Sequence, residues 1–128
     1  MNEKVKALLK SQLWYLATQG EEPNAVPVLF KDVTDDGRLV VGNVFLNATL
    51  SNIRANGLIA VSACNGETLE GYQVKGRAEY VTEGPVAEKF KAMIPEATKG
   101  KLHAKGALVI TPEKIIVTSV GPANGQEL

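Results

Sequence analysis

Asn43, Asn47 and Thr49 stand where an apolar run gives way to a polar loop and then a short helical pattern, within RLVVGNVFLNATLSNIRANGLIAVSAC at residues 38–64. A loop that leaves a strand and enters a helix gathers free backbone N–H groups at the positive end of the helix dipole, an arrangement that suits a phosphate. Thr49 is placed as the N-cap of this helix, and Asn56-Gly57 as its stop. Other chemistries are thinly provided. The chain has one histidine, His103, and one cysteine, Cys64. Nothing resembles spaced His/Cys metal ligands, and a lone histidine removes the usual base from most Ser–His or Cys–His pairings. Cys64 ends an apolar strand pattern and reads as a small buried hydrophobe; no intrachain disulfide can form.

A chain of 128 residues is expected to form one domain over 1–128, large enough for a proper core. Fourteen basic and fourteen acidic residues give a formal net charge of +0. That balance argues against nucleic acid or an anionic membrane as partner, because such sites need a basic surplus. Apolar runs such as ALVI at 107–110 are too short to span a bilayer, and MNEKVKALLK lacks a signal-peptide pattern. A cytoplasmic protein is expected.

The elements that must hold the loop follow from periodicity. Residues 3–13 put Val5, Leu8 and Leu9 on one helical face. LWYLAT at 13–18 and AVPVLFKDV at 25–33 read as strands, with Pro27 at an edge or beside a ligand because proline cannot donate to a ladder. Asp36-Gly37 signals a hairpin into a strand over 39–42. LIAVSAC at 58–64 is a further strand. In LEGYQVKGRAEYV, Tyr72, Val74, Gly76, Ala78 and Tyr80 alternate with Gln73, Lys75, Arg77 and Glu79, which predicts a strand with a bend at Gly71 or Gly76. Pro85 opens a helix that Pro95 is expected to stop. Residues 96–105 read as a loop or short helix, and 107–111 and 114–120 as two strands around Thr111-Pro112-Glu113. The set predicts a mainly antiparallel barrel.

In this order, LATQG, DDGRLVVGN, NATLSNIRANG, LIAVSA, GYQVKGRAEYVTEGP and ALVITPEKIIVTSVGP resemble the pyridoxamine 5′-phosphate oxidase-like family of FMN-binding split β-barrels. The small FMN-binding proteins of that family are the most similar. The resemblance implies a mainly β, six-stranded antiparallel split barrel with two or three peripheral helices. It also implies a homodimer holding one FMN in each of two interfacial clefts. By the same resemblance, Asn47, Ala48 and Thr49 hold the phosphate. Pro27, Val28 and Leu29, within the strand 26–30, run along the ribityl chain and ring. Asn43, Val44 and Phe45 border the isoalloxazine, Gln73 faces the flavin, and residues 120–128 reach toward the partner's flavin.

Two departures stand out. Family members usually carry lysine, or an Arg–Lys pair, at the positions of Ala48 and Thr49, and often a polar pair at those of Pro27 and Val28. Lys75, Arg54 and Lys31 are the cations that can compensate. The oxidases proper add basic and histidine residues near the C-terminus, whereas this sequence ends in GPANGQEL, so that activity is not expected. The implied function is a flavoprotein acting as a small oxidoreductase or electron carrier, with a small molecule or protein as redox partner. The alternatives are a split-barrel dimer for another flat cofactor, F420 or haem, or one without flavin that serves as a binding or regulatory module.

Overall fold

The computed structural model describes residues 1–128. Its elements run α1 (Glu3–Ser11), β1 (Trp14–Gln19), β2 (Pro23–Val28), β3 (Lys31–Val33), β4 (Leu39–Asn43), α2 (Ala48–Asn56), β5 (Leu58–Cys64), β6 (Gly71–Val81), α3 (Pro85–Ala97) and β7 (Gly106–Val117). The strands pair antiparallel in one sheet of order β2-β1-β5-β6-β7-β4-β3. This is the expected split barrel, with seven strands instead of six.

The extra strand explains the closure. The predicted single strand over 25–33 is two strands, and they lie at opposite edges of the sheet. Only Leu29 and Phe30 connect them. Three residue steps reach about 10 Å at most, so the sheet must curl until its edges nearly meet. Pro27 sits on the edge strand β2, as its missing N–H requires.

Two other expectations change. Residues 106–117 form one strand, not two, because the Thr111–Glu113 turn is a bulge. Lys75 pairs with Lys114 and Gly76 with Pro112, leaving Glu113 as the extra residue. A side chain at Gly76 would strike the Thr111 carbonyl. Helix α3 continues through Pro95 to Ala97. Proline there forfeits one bond in the last turn, and Thr98 rebuilds the end by donating from N–H and Oγ1 to the Ile94 carbonyl at 3.0 and 2.8 Å.

The main core joins Val5, Leu8 and Leu9 of α1 to Trp14, Leu16, Val61 and Val74 of the sheet. Trp14 is fully buried and donates its indole N–H to the Leu9 carbonyl at 2.7 Å, fixing α1 against the barrel. A second cluster packs Phe90 and Ile94 of α3 on Val40, Val44 and Ala107. Cys64 is exposed, contrary to expectation. Ile59, Val61 and Ala63 face inward along β5, so strand alternation turns Cys64 outward. No helix is long and apolar enough to cross a membrane.

Candidate functional site

The crossing at Leu29-Phe30 brings the end of β2 beside the loop that leaves β4. Residues 26–30, Gly42, residues 44–46 and Leu102 line an open apolar pocket of about 210 Å³. None of these residues is charged. Leu29 and Phe45, at 70% and 73% exposure, leave most of their surface uncovered. Two such large apolar groups beside one pocket mark a contact surface. Enclosed ligand sites commonly run to about 300–1,000 Å³, so this is the size of one wall of a site.

The loop that carries Phe45 is held from below. Asn43 is buried, accepts the Leu46 N–H at 3.0 Å and donates to the Tyr80 hydroxyl at 3.0 Å. Its amide therefore shapes the loop, with both ends engaged inside the chain. The Lys105 N–H donates to the Asn43 carbonyl at 2.8 Å, which ties the segment before β7 to the same loop.

Helix α2 begins two residues earlier than predicted. Asn47, not Thr49, is its N-cap, and the Asn47 side chain makes no capping hydrogen bond. Gly57 ends the helix in the left-handed conformation at φ 72°, as the sequence predicts. Ala48 is exposed in the first turn, and no side chain caps the N–H groups there. Thr49 is turned inward at 1% exposure. Its hydroxyl accepts from the Asn24 amide at 2.9 Å, while Asn52 donates to Thr18 at 3.0 Å. These bonds pin the first turn of α2 to β1 and β2. Thr49 fails as a cap because its side chain lies on the buried face of the helix.

The compensating cations are placed elsewhere. Lys31 donates to the Leu9 and Lys10 carbonyls at 3.0 and 3.1 Å and lies 5.3 Å from the centre of the Trp14 ring. Burial lowers its pKa, against the opposing field of Asp32. Arg54, in the last turn of α2, stacks over Tyr80 at 5.2 Å. Lys75 lines a different cleft of about 520 Å³, floored by Ala25, Ala17 and Ala60 in adjacent strands. That cleft is the larger of the two and lies on the outer face; its lining residue Asn24 is the donor to Thr49 in the first turn of α2.

Pro27, Val28, Leu29, Val44 and Phe45 thus share one pocket, and Asn47 and Ala48 follow directly on its rim residue Leu46. Gln73 does not join them. Pro27 pairs with Tyr15, Tyr15 with Ser62, and Ser62 with Gln73. Three strand spacings, roughly 14 Å, separate Gln73 from Pro27 on one chain. Sequence reasoning missed Leu102, in a stretch it left unplaced; its alternation with Lys101 and His103 is the signal that marks it as inward-facing.

The profile of the pyridoxamine 5′-phosphate oxidase family matches residues 1–119. An uncharacterised protein of Methanocaldococcus jannaschii is 31% identical over 130 residues, covering 98% of this chain and 86% of its own. Among solved structures, HupZ of Group A Streptococcus is similar at 29% identity and a TM-score of 0.82, with 98% of each chain covered. An FMN-binding protein of Syntrophomonas wolfei shares the fold at 18% identity and a TM-score of 0.80, over 93% of this chain and 86% of its own. With the family profile spanning all three helices and every strand, the chain belongs to the pyridoxamine 5′-phosphate oxidase family.

Proposed function

We propose that this protein binds FMN without a covalent bond, at the interface of two copies of the chain, and serves as a small oxidoreductase or electron carrier. The observation that carries the reading is the uncharged pocket at residues 26–30 and 42–46, running directly into the uncapped start of α2. A flat apolar ring fits the first part and a phosphate the second. Val28, Leu29 and Phe45 would hold the ring, and the amides of Ala48 and Thr49 the phosphate. Bound flavin supplies the hydride and electron chemistry; the protein supplies position and exclusion of water.

The dimer belongs to the same reading. One chain provides a shallow wall that needs a second surface. The outer face of β2, β1, β5 and β6 offers Tyr15 and a floor of alanines to a second copy. Gln73 would then reach the flavin from the partner chain. Purified protein should be yellow, absorbing at roughly 375 and 450 nm as flavins do. It should scatter light with about twice the 13.7 kDa of the chain. Colourless protein that retains no FMN after equilibrium dialysis overturns the proposal. Reduction by NADH or NADPH under anaerobic conditions separates a reductase from a passive carrier.

A further inference from the structure

The segment between α3 and β7 carries a charge pattern that the flavin reading leaves unused. Lys101, His103 and Lys105 are exposed, while Leu102 and Ala104 between them are half-buried against the Val40–Val44–Phe90 cluster. The segment is therefore an extended rail with an apolar inner side and a cationic outer side. It is fixed at both ends: the Leu102 N–H donates to Thr98 Oγ1 at 3.0 Å, and the Lys105 N–H to the Asn43 carbonyl at 2.8 Å. Leu102 is itself part of the apolar pocket wall.

The cations on this rail have no counter-charge. None of Lys99, Lys101 and Lys105 takes part in an ion pair; the paired bases are Lys4, Lys6, Lys10, Arg38, Arg77, Lys89 and Lys91. The residues that line the pocket with Leu102 include no charged side chain. The nearest acid in sequence, Glu96, lies in the last turn of α3. Lys101 adjoins the pocket-lining residue Leu102, so this edge of the pocket carries positive charge that no ion pair neutralises. A rim of one sign beside a low-dielectric wall concentrates ions of the opposite sign.

We propose that Lys101 and Lys105 form a cationic rim that selects an anionic electron donor or acceptor as the second reactant at the pocket. The proposal rests on the flavin reading for the word reactant, but the rim's preference for anions is testable without flavin. In the first experiment, the amide NMR spectrum of flavin-free protein is titrated with paramagnetic tris(oxalato)chromate, a trianion. The amides of residues 101–105 and of Phe45 should broaden first, and Lys101→Glu with Lys105→Glu should abolish that selectivity. The tris(ethylenediamine)chromium trication should leave these amides unbroadened in the native chain. Broadening spread over all exposed lysines alike overturns the proposal.

In the second experiment, flavin-loaded protein is reduced anaerobically and mixed with ferricyanide or with hexaammineruthenium(III). Each acceptor takes one electron, so two equivalents reoxidise one reduced flavin. At low ionic strength the double variant should slow ferricyanide at least tenfold and speed the ruthenium complex. Both differences should vanish near 0.5 M salt, where screening acts within about 4 Å. Lys101→Gln with Lys105→Gln should give an intermediate effect. A ferricyanide rate unchanged within twofold overturns the rim. A protein that takes up no flavin overturns the flavin reading instead, and the chromate titration still decides the rim.

Discussion

Placing a lysine at position 48 is the sharpest test of how this chain meets a phosphate. Ala48 is exposed in the first turn of α2, so a longer side chain there displaces no packing. The nearby hydroxyl of Thr49 is buried and bonded to Asn24, and Lys31 and Arg54 are engaged elsewhere. The first turn of α2 therefore offers a phosphate amides and no cation. Adding one charge-assisted contact is worth about 1.5–3 kcal/mol, or roughly ten- to a hundredfold in affinity. Coulomb attraction at about 4 Å gives ~1 to ~4 kcal/mol between water-like and surface dielectrics, the same range. A lysine in the first turn also opposes the helix dipole, lowering the stability of the flavin-free protein by about 0.3–1 kcal/mol. Ala48→Lys should thus tighten FMN ten- to a hundredfold and leave riboflavin, which lacks the phosphate, unchanged. Fluorescence titration with both ligands at low and high salt measures the ratio, and the gain should shrink as salt rises. An FMN-to-riboflavin ratio that moves less than twofold would refute the phosphate assignment.

Three further outcomes follow from the geometry. Phe45→Ala should change urea stability by less than about 0.5 kcal/mol, because the ring is exposed, yet weaken flavin retention about tenfold if it covers the ring; equal losses in both, or in neither, count against its role. Asn24→Ala leaves the buried Thr49 hydroxyl without its donor and should cost about 1–3 kcal/mol in denaturant unfolding, while Asn24→Leu combined with Thr49→Val should recover part of that loss. Asp32 contributes a pH dependence. Partial burial pushes its carboxyl up, but Lys89 at 2.7 Å, the Val33 N–H and the fields of Lys89 and Lys10 outweigh burial and hold it below the ordinary range. Its folded pKa is depressed, so its stabilisation is fully present above about pH 4 and lost as pH falls through the lower folded value. The stability difference between the native chain and Asp32→Asn should be constant from pH 7 to 5 and shrink toward pH 3.

Much of this molecule was legible in its residues where a local rule and a tertiary one agree. β5 has the predicted bounds, and β6 alternates as read, with the irregularity at Gly76 arising from the β7 bulge opposite it. Gly57 stops α2 because only a residue free of a Cβ adopts φ 72° without strain. Misreadings arose where local signals compete with packing. Pro95 and Pro112 carry strong breaker signals, yet a helix's last turn and a β-bulge each tolerate a missing N–H. Thr49 has the right chemistry for a cap, but Asn24 draws it inside; that bond spans 25 residues and no local pattern encodes it. Leu102 and the cationic rail escaped because the alternation is short and lies between glycine and lysine, in a segment with no ladder of its own.

The long strand β7 has a consequence for the order in which the protein can come into being. It is the sole sheet partner joining β4, and with it the hairpin of β3 and β4, to β6. Asn43, at the root of the pocket loop, pairs with Gly106. During synthesis from the N-terminus, the pocket loop is made early with β3 and residues 26–30 beside it, but its strand β4 gains its second sheet partner only when β7 emerges. Contacts of such sequence separation form late and slow the folding that depends on them. The pocket wall must therefore be among the last parts to set, so a ligand seated there captures only finished chains.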